Sequence, residues 1–181
     1  MKRQTVLSIF TLSIFTLALL FAALAATAQT VVPLYTYPET DNGSTGVNWP
    51  ALMSQGPDGE LYSTIETNGT FNSGTVYKIS TAGVYTPLYN FCAEGGNCLL
   101  TGSYPLGGVT LGLDGNLWGT TQNGGEDTVG TVFKMTPTGA LTSLHQFNGT
   151  DGSGPNYPVF QGAGRQYVRR YPVWSTLRNV L

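Results

Sequence analysis

The feature that most constrains this chain is a block of sequence written twice. Asp58-Gly59-Glu60-Leu61-Tyr62-Ser63-Thr64 returns as Asp114-Gly115-Asn116-Leu117-Trp118-Gly119-Thr120, 56 residues later. Gly74-Thr75-Val76-Tyr77-Lys78-Ile79 returns as Gly130-Thr131-Val132-Phe133-Lys134-Met135 at the same spacing of 56. A third block occurs three times: Leu34-Tyr35 with Trp49-Pro50, Leu88-Tyr89 with Tyr104-Pro105, and Leu144-His145 with Tyr157-Pro158, the aromatic-proline pairs lying 55 and 53 residues apart. Blocks in constant order at a near-constant period are the signature of stacked structural repeats, each unable to bury its apolar face alone.

Each period has the content of two β-hairpins. Asp58-Gly59 and Asp114-Gly115 sit between short apolar runs, and Asp-Gly accepts φ > 0 at both central positions of a tight hairpin turn. Thr81-Ala82-Gly83 and Pro137-Thr138-Gly139 serve the second hairpin, their glycines free to turn left-handed. In Thr75 to Ile79, Val76 and Lys78 fall on one face and Thr75, Tyr77 and Ile79 on the other, the period-two pattern of a strand. Four short antiparallel strands per repeat make the unit of a β-propeller blade. The predicted fold is therefore all-β: propeller-like tandem four-stranded blades in an incomplete ring of about two blades plus a fragment. The period exceeds that of common blades, which run to about 50 residues, and long loops before the aromatic-proline pairs absorb the excess. A β-solenoid is the rival architecture.

Composition supports this class. With 24 Gly among 181 residues and only 8 Lys+Arg against 10 Asp+Glu, the chain is too poor in charge for a coiled coil and lacks the strict glycine period of collagen. So few cations cannot build the basic face that a nucleic-acid partner needs.

The chain opens Met1-Lys2-Arg3, runs apolar from Val6 to Ala26 and reaches Ala26-Thr27-Ala28 before Gln29. A charged start, an apolar stretch and small residues at a cut site describe a helical secretory signal peptide. Residues 1–28 are thus expected to be removed after Ala28, leaving a secreted or extracytoplasmic chain with no membrane span. An uncleaved anchor is the alternative, the run being about as long as a bilayer crossing requires. The remaining segments are 29–50, a partial repeat; 51–105 and 106–158, two repeats; 159–163, the start of a third; and 164–181, a non-repeat basic tail. Cys92 and Cys98 are the two cysteines; in an oxidising compartment such a pair closes as a disulfide stapling a surface loop.

The blocks Asp-Gly-x-Leu-aromatic-(Gly/Ser)-Thr, Gly-Thr-Val-aromatic-Lys and Leu-x-x-Leu-aromatic resemble the GloVer-type tandem repeat of exported bacterial proteins, over about Val31 to Gly162. The resemblance implies a secreted or surface-anchored propeller of many such repeats with no established activity. The chain departs from it in having few units and no C-terminal anchor or sorting segment. Asp114 to Trp118 is also similar to blades of streptogramin-lyase-like propellers.

The repeat-defining residues are Asp58, Gly59, Tyr62, Gly74, Tyr77, Lys78, Asp114, Gly115, Trp118, Gly130, Phe133 and Lys134, all read as structural. Asp58 and Asp114 are explained by turn chemistry. Asp41-Asn42-Gly43 and Asp151-Gly152-Ser153 offer oxygens but lack an EF-hand loop's alternation and closing Glu. Glu126-Asp127 reads as a solvated pair. Lys78 and Lys134, in one register, either face solvent or pair with an acid of their own blade or a ligand. Tyr62, Trp118, Tyr77 and Phe133 read as core, a carbohydrate-stacking platform being the minor alternative. His145, the one histidine, stands where the other copies have Tyr35 and Tyr89 and reads as a strand aromatic; a general base also needs an orienting partner, and the sequence marks none. Asn42, Asn68 and Asn148 match the glycosylation acceptor pattern and read as turns. No catalytic residue, cofactor or metal site is expected. The function that follows is an exported, non-catalytic binding or surface-interaction scaffold with a surface, carbohydrate or protein ligand. A fragment of a lyase-like propeller enzyme and a non-functional frameshifted product are the alternatives. An unclosed set of blades also leaves an open edge for self-association.

The tail breaks both pattern and charge. From Gln29 to Ala163 the only cations are Lys78 and Lys134, whereas residues 164–181 hold Arg165, Arg169, Arg170 and Arg178 and no acid. A third repeat calls for Asp-Gly-Asn and an aromatic right after Ala163, and one-base-shifted codons for Gly164 to Trp174 can spell Asp-Gly-Asn-Met-Tyr-Gly-Gly-Thr-Gln-Tyr-Gly. A basic tail meeting an anionic surface is the other reading. The nucleotide sequence decides: a frame slip requires the shifted codons 164 to 174 to read as that missing block, and any other text there ends the idea.

Overall fold

The structure, a computed structural model, describes residues 32–36, 51–67, 69–93, 98–162, 165–169 and 174–177. The expectations placed on the signal segment 1–28, on Asp41 to Gly43 and on Trp49-Pro50 lie outside those residues. The chain divides into two compact units, Met1–Pro33 and Leu34–Leu181, and the described elements all belong to the second.

Two four-stranded antiparallel sheets follow one another. The first contains β1 (Ser54–Gln55), β2 (Leu61–Ile65), β3 (Thr75–Ile79) and β4 (Tyr85–Asn90), and the second β5 (Val109–Leu111), β6 (Leu117–Thr121), β7 (Thr131–Met135) and β8 (Leu141–Gln146), each in simple sequential order. The two registers are equivalent pair for pair: Tyr62 opposes Lys78 as Trp118 opposes Lys134. Even the irregularity repeats, between Val76 and Tyr77 in one sheet and Val132 and Phe133 in the other. A third sheet opens with β9 (Val159–Gly162), onto which β10 (Arg165–Arg169) and β11 (Trp174–Leu177) pair antiparallel. Residues of the tail thus take the second and third strand places of a further sheet.

The chain is all-β with propeller-like tandem four-stranded blades. Two observations carry the blade assignment. The innermost strands of successive sheets lie side by side, Ser54 Oγ donating to the Val109 carbonyl at 2.7 Å and Leu52 bridging Gly108 in parallel. The sheets also stack face to face through apolar side chains. Tyr62, Val76 and Phe91 of the first sheet share one buried cluster with Val109, Leu117, Phe133 and Met135 of the second. Trp118, Val132 and Phe147 receive Val159 in the same way. On the other side of the first sheet, Ile65, Tyr77 and Ile79 pack with Tyr35 and Tyr85, so Tyr35 takes the place that Tyr89 holds one repeat later.

This stacking covers both faces of the middle strands: every residue of β3 and β7 is buried except half-buried Lys78 and Lys134. A sheet sandwiched between neighbours is covered on both sides, and period two then separates two seams rather than core from solvent.

The turns differ from expectation. Gly59 and Gly115 are left-handed, with φ of 80° and 75°, and Asp58 and Asp114 are not. Gly56 N–H donates to the Glu60 carbonyl and Gly59 N–H to the Gly56 carbonyl, so each is a three-residue loop with one left-handed glycine rather than a two-residue turn with two.

Gly74 and Gly130, with φ of 103° and 108°, stand where seam and loop meet. A Cβ on Gly74 would lie 2.9 Å from the Ile65 carbonyl oxygen and against the ring of Pro105, at the far end of the connection after β4; on Gly130 it would lie 2.7 Å from Pro155. Gly59 is left-handed as well, but a Cβ there would meet nothing within 4 Å. Gly59→Ala should therefore cost only the backbone term, about 1–2 kcal/mol, and Gly74→Ala should cost more, about 3 kcal/mol or above, because backbone must also move. Chemical denaturation of the two variants checks the order, and equal losses would refute the seam argument at Gly74.

Candidate functional site

The repeated polar residues gather at the Asp-Gly turns and face each other. Tyr62 Oη donates to Asp58 Oδ2 at 2.6 Å, and Trp118 Nε1 donates to Asp114 Oδ1 at 3.2 Å. The backbone N–H two residues after each aspartate, on Glu60 and on Asn116, donates to the same carboxylate at 3.2 and 3.1 Å. Lys78 pairs with Glu60 at 2.6 Å, while Lys134 reaches Asp114 at 3.9 Å and lies 5.4 Å from the centre of the Trp118 ring. Tyr62, Trp118, Tyr77 and Phe133 are buried and so cannot serve as a stacking platform. The repeat-defining residues are brought together as turn-and-strand fasteners in each repeat.

Ionisation follows from these contacts. The bond from Tyr62 holds the Asp58 carboxyl below the usual carboxylate range, against the opposing effect of burial. Burial pushes Asp114 upward, but bonds from Asn116 and Trp118 outweigh it and the net direction is down. Burial, then the bond to Asp58, drives the Tyr62 hydroxyl well above the phenol range. Burial also raises Tyr77, opposed by its hydrogen bond with Ser63.

At the opposite ends of the first strands the repeats converge on a concavity of about 620 Å³, lined by Ala51, Leu52, Leu106, Gly107, Asn156, Tyr157 and Pro158. These seven residues are the approaches to three successive first strands, and none is charged. The backbone closes tightly there: a Cβ on Gly107 would fall 2.5 Å from the Tyr157 carbonyl carbon. Adjacent hydroxyls fasten the mouth, Ser63 Oγ donating to the Leu52 carbonyl at 3.0 Å and Thr120 Oγ1 to the Tyr157 carbonyl at 3.0 Å. Thr64 Oγ1 donates to the Pro105 carbonyl in the equivalent place. None of the seven stood out in the sequence as a binding residue; Tyr157 and Pro158 were marked there only as one of the repeated aromatic-proline pairs.

The segments that reach this mouth are held by two different clasps. After β4, Cys92 and Cys98 are joined in a disulfide with Cα atoms 4.6 Å apart. The Cys98 carbonyl accepts from Gly102 and from Gly125 of the next repeat. After β8, His145 Nε2 lies 2.9 Å from Asp151 Oδ2. Asp151 is set by a turn in which its own N–H and that of Thr150 donate to Asn148 Oδ1. His145 thus has the partner that its sequence surroundings did not mark, because the intervening loop folds back onto the strand. Its ring also packs edge-on against Phe147 at 4.8 Å. Glu126 is tied through its backbone N–H to the Gln146 side chain at 2.8 Å. Among the described residues no three His, Cys, Asp or Glu side chains could jointly hold a metal ion. No helix among them is long and apolar enough to cross a membrane.

Residues 19–170 match the family described as the Gloeobacter/Verrucomicrobia repeat. Among curated proteins nothing matches the chain. Among solved structures it is similar to a protein described as a candidate gluconolactonase, with 13% identity and a TM-score of 0.47, the match covering 71% of this chain and 43% of that one.

Asp58 and Asp114 are more acidic folded than free, so their stabilising contribution is complete above about pH 4, the free carboxyl range. It is lost as the pH falls through the lower folded values. The urea midpoint should drop on acidification below about pH 4, and Asp58→Asn should flatten part of that drop while lowering the midpoint near neutrality. A midpoint unchanged down to pH 2 would contradict the assigned bonds.

Proposed function

We propose, for a chain that belongs to the Gloeobacter/Verrucomicrobia repeat family, an exported non-catalytic scaffold that presents the inner mouth of its repeats to a neutral ligand, carbohydrate being the favoured class. The supporting observation is the concavity of about 620 Å³ to which the approaches of three successive first strands contribute. Its lining has no charge. It offers the exposed ring of Tyr157, the amide of Asn156 and apolar Leu52, Leu106 and Pro158. Aromatic faces with a few convergent polar groups suit the alternating apolar and hydroxyl surfaces of a sugar. The repeated Asp, Lys and Tyr residues are bound to one another, which leaves this mouth as the surface free to vary. Export rests on the leader pattern of residues 1–28 and is compatible with the Cys92–Cys98 disulfide.

One observation favours a second reading. His145 paired with Asp151 at 2.9 Å has the oriented-base arrangement that a propeller enzyme of lyase type would use.

The test combines location and binding. Cell fractionation and N-terminal mass analysis should find the chain outside the cytoplasm beginning at Gln29. Arrays of neutral oligosaccharides, followed by calorimetry, should find ligands whose affinity falls roughly tenfold in Tyr157→Ala, as for an exposed aromatic anchor. His145→Ala should leave that affinity unchanged. Retention in the cytoplasm, or sugar binding indifferent to Tyr157, would defeat the reading. Turnover of a sugar or lactone abolished by His145→Ala would favour the enzyme.

A further inference from the structure

The disulfide between Cys92 and Cys98 lies in the seam between the first two sheets. Cys92 is 1% exposed and belongs to the cluster that joins Tyr62, Val76 and Phe91 to Val109, Leu117, Phe133 and Met135. Cys98, half-buried, packs against that cluster. Beyond Cys98 the connection is laid along the second repeat. The Cys98 carbonyl accepts from Gly125 N–H at 3.1 Å, Ser103 and Asn123 exchange both backbone bonds at 2.8 and 3.1 Å, and the Tyr104 carbonyl accepts from Gln122 N–H at 2.9 Å. Thr131 Oγ1 donates to the Thr101 carbonyl at 3.2 Å. Gly102 and Gly124 lie back to back, a Cβ on Gly124 falling 2.5 Å from the Gly102 Cα. The segment also returns to the first repeat, through Tyr104 N–H to the Ser73 carbonyl at 2.8 Å and Thr64 Oγ1 to the Pro105 carbonyl. It then reaches Leu106 and Gly107 at the mouth. One sulfur thus belongs to the strand end that leaves the first sheet, and the other to a segment bound along the second.

The geometry points to Cys98 Sγ as a modification site for small thiols, and to the disulfide as a covalent lock on this seam. The two sulfurs are not equivalent. The apolar cluster closes off Cys92, whereas Cys98 is half-buried, so an incoming thiolate meets Cys98 Sγ first. Its sulfur bonds to Cys98 Sγ as the S–S bond breaks, and the electron pair leaves on Cys92 Sγ, which takes up a proton. A second thiol then displaces Cys98 and carries the first away as a disulfide. With a dithiol the balance is one dithiol and one protein disulfide giving one cyclic disulfide and two cysteine thiols. The departing Cys92 thiolate forms in an apolar interior, which disfavours its charge. Exchange is therefore favoured in states where the seam has parted locally, and by reciprocity loss of the bond favours that parting. The pairing of 98–104 against 122–125 is what parts, and with it the mouth wall at Leu106 and Gly107. The second connection is closed by His145 and Asp151 and does not answer to thiols. The lock is independent of what the mouth binds.

Hydrogen exchange read by peptide mass provides the test, on the full chain in a non-ionic detergent that keeps apolar residues 6–26 dispersed, with and without dithiothreitol. In the reduced chain the amides of Gln122, Asn123 and Gly125 should exchange roughly tenfold faster or more, as for a local opening. Thr136 and Gly139, whose N–H groups close the turn between β7 and β8, should keep their rates. Brief exposure to glutathione followed by an acid quench should place the mixed disulfide on Cys98. Unchanged exchange over 122–125 after reduction would overturn the lock, leaving a bond that staples only its own loop. So would equal acceleration at Thr136 and Gly139, which marks a bond that holds the whole fold rather than one seam. A mixed disulfide carried by Cys92, or an isolated chain whose two cysteines are free thiols before any reductant is added, would overturn it as well. Every arm uses the unmodified chain, so none depends on a variant that folds.

Discussion

Everything in this chain depends on the contact between one sheet and the next. A four-stranded sheet of strands two to six residues long is too small to bury its own apolar side chains, and each repeat supplies half of two interiors. The seam clusters hold the residues that recur at the repeat period, aromatic or valine against valine. Fully burying each such side chain is worth about 1.5–3 kcal/mol, which makes neighbouring repeats mutually dependent rather than merely adjacent. The glycines at 74 and 130 belong to the same constraint, because a proline of the connection, Pro105 or Pro155, lies where a side chain would go.

That constraint explains how the polar residues are used. Lys78 and Lys134 stand on strands covered on both faces, and a lysine there keeps its charge only beside an acid or at a rim. Both do so at half burial, paired with Glu60 and Asp114. Partly exposed pairs of this kind add little energy each, but they fix the orientation of the turn that holds Asp58 or Asp114 under its aromatic ring. The polar pattern that repeats most faithfully is thus the one least available to a ligand. The mouth at the other end of the sheets is lined by residues that vary from copy to copy: Ala51-Leu52, Leu106-Gly107 and Asn156-Tyr157-Pro158.

This is also why the fold was legible in the sequence and the site was not. Asp-Gly, the strand of Thr75 to Ile79 and their copies locate β2, β3, β6 and β7, since identical local chemistry at one period must give identical local structure. The two-faced burial of β3 and β7 was not legible, because period two reports that two faces differ without saying what covers them. The single left-handed glycine per turn was missed because Asp-Gly suits both a two-residue and a three-residue loop, and the pairing of Gly56 with Glu60 and of Gly112 with Asn116 sets the longer one. The mouth and the His145–Asp151 pair were missed for a related reason. They are assembled from connections, whose residues are neither periodic nor constrained by the seam.

The two connections show what that freedom permits. Both leave a fourth strand through a buried phenylalanine, Phe91 or Phe147, whose N–H returns to Gly74 or Gly130 at 2.9 and 3.0 Å. Both arrive at an aromatic-proline pair beside the mouth. Between those fixed ends one is closed by a disulfide across a short loop, a constraint worth roughly 2–3 kcal/mol in the loop-entropy account. The other is closed by the His145–Asp151 contact and an asparagine-centred turn. Two unrelated chemistries serve one geometric task, so the task, holding the last residues of the connection against the neighbouring first strand, is what the repeat requires. A scaffold with fixed seams and exchangeable connections can change what its mouth presents without losing its fold, and the exposed Tyr157 belongs to such a connection.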